Sequence, residues 1–175
     1  MATTEYLLDQ QVKLVLAALM PPNALACEVS LRTGLRISDV LSLKTEQIKP
    51  RFWVKESKTG KSKMVGLPDD LRQRLLAQAG KVYVFENRLN PNRHRTRQAV
   101  WADVKRAQKA FRFGQNVGPH SFRKDYAVEV LRRYGDIEKV RRALNHDRET
   151  TSLIYAMADV LLMRKKYPRN YANMK

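Results

Sequence analysis

The sequence predicts a mainly α-helical domain of α+β type with one small antiparallel β-hairpin. Three observations carry that expectation. Apolar residues recur at helical spacing through most of the 175-residue chain. The β-leaning segments cluster near the middle, on either side of Lys58-Thr59-Gly60-Lys61, which reads as a turn. No internal repeat, low-complexity tract or linker interrupts the chain. Its length suits one domain over residues 1–175, large enough to bury a core without a metal or disulfide.

The elements follow in order. Residues 5–20 place Leu8, Val12, Val15, Leu16 and Leu19 on one helical face, and Pro21-Pro22 ends that helix. Asn23 is positioned to cap a second helix, which runs to Gly34. A third, "ISDVLSLKTEQI", turns Ile37, Val40, Leu41 and Leu43 inward, with Ser38 or Asp39 near its start. "RFWVKES" and "SKMVGLP" form the hairpin, with Gly60 in its turn. A helix over "PDDLRQRLLAQAG" carries Asp69 and Asp70 in its first turn, where the helix dipole favours anions, and stops at Gly80. "KVYVFE" reads as a further short strand and "NRLNPNRHRTR" as a basic loop. Thr96 caps the helix "RQAVWADVKRAQKAF", with Trp101, like Trp53 of the hairpin, expected to anchor the core. Helices over 120–134, closed by Gly135, and over "DIEKVRRALN" complete the predicted core, and a mostly helical segment leads into a basic tail.

Charge narrows the function. Lys and Arg total 34 against 17 Asp and Glu, a formal net charge of +17. Such self-repulsion points to a polyanionic partner, and nucleic acid fits best because phosphates draw cations without regard to sequence. The single cysteine, Cys27, excludes an intramolecular disulfide and sits in an apolar helical pattern as a small buried hydrophobe. The N-terminus lacks a secretory signal, and the longest apolar run is too short to span a bilayer, so a cytoplasmic protein is expected, with no membrane partner.

Chemistry at a phosphodiester needs cations that hold the phosphate, a nucleophile and a proton donor to the leaving oxygen. Arginine suits the first task, because its planar fork binds phosphate oxygens in pairs and keeps its charge. Arg36 stands at a junction between two helices. His120 and Arg123 lie three residues apart at the start of a helix, on one face. The hairpin carries Arg51, Lys55, Lys58, Lys61 and Lys63 against one acid, Glu56. Which of its lysines faces a phosphate depends on strand register. Lys105, Arg106, Lys109 and Arg112 read as a solvated basic stripe, and Arg93, Arg95 and Arg97 as cations of a loop near DNA.

Arg36, Lys58, His120 and Arg123 fall into the first three of four boxes: "TGLRISD" at 33–39, "SKTGKSK" at 57–63, "HSFR" at 120–123 and "LNHDRETTSLIY" at 144–155. In this order and spacing the chain resembles the catalytic domain of the tyrosine recombinases, the phage-integrase family. In that family a tyrosine follows the second histidine by nine residues, as Tyr155 follows His146. The resemblance implies the DNA breaking-rejoining catalytic fold and site-specific recombination or integration. It casts Tyr155 as the nucleophile that forms a 3′-phosphotyrosyl link, and Arg36 and Arg123 as the grip on the non-bridging oxygens. Lys58 becomes the proton donor to the 5′-oxygen, His120 the base and His146 a hydrogen-bond donor to the phosphate. It implies no cofactor and no metal.

The implied partners are double-stranded recombination sites, a tetramer on DNA with exchange of C-terminal tails, and accessory DNA-bending proteins. Lys55, Lys61, Lys63, Arg93, Arg95 and Arg97 form a weaker set of expected DNA contacts. Two positions depart from the family pattern: Asn145 stands where glycine is usual before the second histidine, and Asp39 replaces the commoner glutamate. Asn is the next-best residue for a left-handed helix end, so the turn survives, and Asp39 is a mild change at a supporting position; neither removes a catalytic group. Only one or two helices fit before residue 33, so the family's N-terminal clamp domain is expected to be absent, the chain being either a minimal recombinase or a catalytic fragment. Two other functions compete: DNA relaxation in the manner of a type IB topoisomerase, and a catalytically inactive DNA-binding regulator.

Overall fold

The structure is a computed structural model that describes residues 4, 5 and 7–145. The chain divides into two compact units, residues 1–126 and 127–175. In the first unit the order is α1 (Asp9–Ala18), α2 (Pro21–Thr33), α3 (Ile37–Leu41), a 3-10 turn (Thr45–Gln47), β1 (Arg51–Lys55), β2 (Ser62–Gly66), α4 (Asp69–Gln78) and α5 (Arg97–Ala110). Helix α6 (Pro119–Tyr134) begins in the first unit and ends in the second, which also holds α7 (Ile137–Ala143).

Local chemistry sets the helix ends. Pro21-Pro22 both closes α1 and opens α2, because proline at the first helical positions lacks only an N–H that would have no intrahelical partner. Asn23 is therefore inside α2 and not its cap. It is buried and donates to Asp103 Oδ2 at 2.8 Å. Gly34 ends α2 at φ 68°, in the left-handed region open to glycine. The Thr96 hydroxyl accepts from Ala99 N–H at the start of α5, as expected of a cap. The predicted third helix is shorter than its pattern: it stops at Leu41, and the rest of that apolar run becomes an irregular segment with the 3-10 turn.

The hairpin pairs Arg51 with Gly66, Val54 with Lys63 and Lys55 with Ser62. Gly60 turns it at φ 67°. "KVYVFE" does not form a strand; it makes single bridges, Lys44 to Tyr83 and Glu86 to His94.

The core of the first unit lies where α2 meets α1, α3 and α4, and where α5 packs on α1 and α3. Val15, Ala26, Cys27, Val29, Val40, Leu75, Val104 and Phe122 are fully buried in it. Burial pushes the Cys27 thiol far above its usual range. Neither tryptophan anchors this core: Trp53 is 60% exposed and Trp101 52%. Strand parity explains the first, since Phe52 and Val54 point inward and Trp53 between them must point out. Helix periodicity explains the second, since Val100, Val104 and Ala107 take the inner face of α5.

In the second unit Gly135 ends α6 at φ 62° and Asp136 caps α7 through Glu138 N–H at 2.8 Å. Asn145 holds the left-handed conformation at φ 58°, so the helix end expected of glycine survives with asparagine. His146, Tyr155 and the tail, including the expected helix and two further tyrosines, Tyr167 and Tyr171, that could rival Tyr155 as nucleophile, lie outside the described residues.

Candidate active site

The site is built on the C-terminus of α2. Residues Thr33 to Arg36 turn sharply after Gly34, and three hydrogen bonds pin the turn. The Ser30 hydroxyl donates to Leu35 O (2.7 Å), the Thr33 hydroxyl to Val29 O (2.6 Å), and Leu35 N–H to the Thr33 hydroxyl (3.2 Å). Carbonyls at a helix C-terminus lack intrahelical partners and attract cations. Here two successive carbonyls each take one: Gly34 O accepts from Arg123 Nη1 at 2.6 Å, and Thr33 O from Lys63 Nζ at 2.6 Å. Arg36, the N-cap residue of α3, extends from the same turn.

Arg36 and Arg123 converge on one carboxylate. Arg36 Nη1 donates to Glu56 Oε2 at 2.7 Å, and Arg123 Nη1 lies 3.8 Å from Glu56 Oε1. Arg123 is 3% exposed and Glu56 is fully buried. Two guanidiniums buried side by side repel, and the carboxylate between them offsets that repulsion. Glu56 follows β1, whose inward parity runs Phe52, Val54, Glu56. A second carboxylate ties the hairpin down. Asp39 Oδ1, on α3, accepts from Ser57 N–H at 3.0 Å and from the Ser57 hydroxyl at 2.6 Å.

The register sorts the lysines. Lys58 and Lys61 are exposed at the turn. Lys63, expected among the DNA-contacting cations, sits opposite inward-facing Val54 and points toward the arginines. Its Nζ lies 5.3 Å from the centre of the Tyr126 ring. Burial first, then Arg123 and Arg36, pull its pKa down to about 8, with Glu56 opposing them. His120 is exposed on the first turn of α6, one turn before Arg123. Lys55, Arg93 and Arg97 are exposed, while Arg95 is half-buried beside the loop carbonyl of Phe85, which accepts its own backbone N–H.

The α5 stripe is less uniform than its sequence. Arg106 Nη2 pairs with Asp103 Oδ1 at 2.6 Å, and half-buried Lys105 donates to Gln108 and Asn116. Glu56 and Lys63 are the functional candidates that sequence reasoning under-weighted; the inward parity of β1 signalled Glu56, whereas the choice of Lys63 waited on the strand register. Among the described residues no cluster of three His, Cys, Asp or Glu side chains is placed to hold a metal ion, and no helix is long and apolar enough to cross a membrane.

Solved structures share this architecture. The XerA recombinase superposes with a TM-score of 0.73 at 20% identity, covering 95% of this chain and 63% of its own. A lambda integrase tetramer bound to a Holliday junction gives 0.68 at 20% identity, covering 87% and 49%. The fold is that of the tyrosine recombinase catalytic domains. The sequence goes further: the model of the phage integrase family matches residues 5–160, and the chain belongs to that family. A tyrosine recombinase of Thermosipho africanus is 28% identical over 162 residues, which is 86% of this chain. The chain spans 56% of that relative's length.

Proposed function

We propose that the chain is the catalytic part of a site-specific DNA recombinase that cuts and rejoins one strand at a time through a tyrosine. What carries the reading is the convergence of Arg36 and Arg123, from two separate elements, on the two oxygens of one buried carboxylate beside a lysine-bearing hairpin. That pair suits the non-bridging oxygens of a phosphodiester and the charge that grows on them in the transition state.

In the proposed step the Tyr155 hydroxyl oxygen attacks the scissile phosphorus and the bond from phosphorus to the 5′-oxygen breaks. His120 takes the tyrosine proton, and Lys58 gives one to the departing 5′-oxygen, leaving a free 5′-hydroxyl and a 3′-phosphotyrosine. His146 donates a hydrogen bond to the phosphate. The covalent link keeps the energy of the broken bond, so a 5′-hydroxyl from a partner strand reverses the step and completes the exchange. No cofactor or metal is required for this balance.

The partners follow from the same reading: duplex recombination sites, assembled as a tetramer whose C-terminal tails pass between protomers, with accessory DNA-bending proteins setting direction. Relatedness to a tyrosine recombinase supports it over topoisomerase-like relaxation. The full Arg36, Lys58, His120, Arg123, His146 and Tyr155 set supports it over an inactive regulator.

Covalent trapping tests it. Nicked duplexes from the flanks of the coding element, whose short fragment bearing the new 5′-hydroxyl diffuses away, should give a protein–DNA adduct that survives denaturation. Tyr155→Phe should abolish the adduct and Tyr167→Phe should keep it. An adduct in Tyr155→Phe moves the nucleophile to another residue, and a regulator gives DNA binding with no adduct in any variant.

A further inference from the structure

We infer that Glu56 is a positioning residue for the arginine pair: its carboxylate aims Arg36 and Arg123 and moderates their pull on DNA. The inference rests on the proposed recombinase reading for its rate arm, and on geometry alone for its binding arm.

Three observations point to it. First, Glu56 is the acid that both arginines share, at 2.7 Å to Arg36 and 3.8 Å to Arg123, and it is fully buried. Second, its backbone closes the hairpin turn. Glu56 N–H donates to Lys61 O, Gly60 N–H donates to Glu56 O, both at 2.9 Å, and the Thr59 hydroxyl donates to Glu56 Oε2 at 3.0 Å. The arginines are therefore tied to the same turn that carries Lys58. Third, the two oxygens are used unequally. Oε2 accepts two hydrogen bonds, whereas Oε1 accepts none among the described residues. Arg123 thus faces Glu56 Oε1 across 3.8 Å while its Nη1 donates to Gly34 O at 2.6 Å.

The consequence is a trade between binding and chemistry. An anionic carboxylate against two guanidiniums leaves less net positive charge to attract any phosphate, so it lowers affinity for DNA in the ground state. By fixing both forks in place it lets them meet the transition-state charge without reorganising. Binding lost and orientation gained should therefore move in opposite directions when the charge is removed.

Glu56→Gln keeps the size and an acceptor oxygen and removes the charge. Expected are a several-fold tighter Kd for a plain duplex at fixed salt and a single-turnover adduct-forming rate at least about ten-fold slower. A purely structural role would lower both together, along with thermal stability. Affinity that is unchanged or weaker in a folded Glu56→Gln protein overturns the inference, as does a rate that does not fall.

Should that variant fail to fold, Glu56→Asp serves, because it keeps the charge and withdraws the carboxylate by one methylene. Affinity near wild type with a clearly slower rate supports the inference, and a wild-type rate overturns it. If wild type itself forms no adduct on any duplex, the recombinase reading fails, and tighter binding by Glu56→Gln still supports the carboxylate's role on its own.

Discussion

Lys63 shows at the residue scale what neighbours do to a common side chain. Its ordinary value is 10.5, and burial with two adjacent guanidiniums lowers it to about 8. Below about pH 8 both folded and unfolded chains carry the proton, and the buried ammonium is a constant cost to stability. Between about 8 and 10.5 the unfolded chain binds more protons, so this group's contribution to stability rises with pH and levels off above that window. Lys63→Met should flatten that rise, by up to about 3 kcal/mol between pH 8 and 10.5. Urea unfolding of both proteins across the window checks it, the difference between them cancelling other titrations. Equal slopes would mean that Lys63 keeps an ordinary pKa.

At the scale of elements, Asp103 holds three pieces together. Its Oδ2 accepts from Met20 N–H and from Asn23 Nδ2, both at 2.8 Å, while its Oδ1 takes Arg106. One carboxylate on α5 thus satisfies the turn between α1 and α2. Asp103→Ala leaves a buried amide and a backbone N–H without partners, and should cost about 3 kcal/mol in thermal or urea unfolding. Asp103→Asn should cost less, because it keeps an acceptor. The hairpin is the other instructive element. Alternation placed Phe52, Val54 and Glu56 on one face, but only the observed register put Lys63 beside them. One step of register would turn Lys63 to the other face. "KVYVFE" failed as a strand for a related reason: its β-branched and aromatic residues needed a partner strand, and the chain offers only single bridges there.

For the whole molecule, the net charge of +17 favours a polyanionic partner, and in the proposed complex the salt dependence of DNA binding follows the number of phosphates neutralised. Each phosphate neutralised releases condensed counterions, so affinity falls steeply as salt rises. Exposed Lys61 contributes one such contact in the proposed complex. Lys61→Ala should therefore reduce the slope of log K against log salt by about 0.9, uniformly across DNA sequences. The adduct-forming rate at saturating DNA should stay within about two-fold, since a phosphate contact away from the reacting atoms supplies uniform binding. A large fall in that rate would place Lys61 at the chemistry in place of Lys58.

The amino-acid order by itself determined the helical class, the hairpin, Thr96 as a cap, the left-handed turn at Asn145 and the four boxes that mark the family. All of these rest on short-range rules: spacing along a helix, the backbone freedom of Gly and Asn, and residue types at fixed separations. Only the tertiary structure decided that Trp53 and Trp101 face outward, that Asn23 is a core hydrogen-bond donor, and that Arg36 and Arg123 share Glu56. These depend on which faces meet across tens of residues of chain. The buried charges of Arg36, Arg123 and Glu56 are stable because distant segments deliver their partners, and no local pattern carries that information.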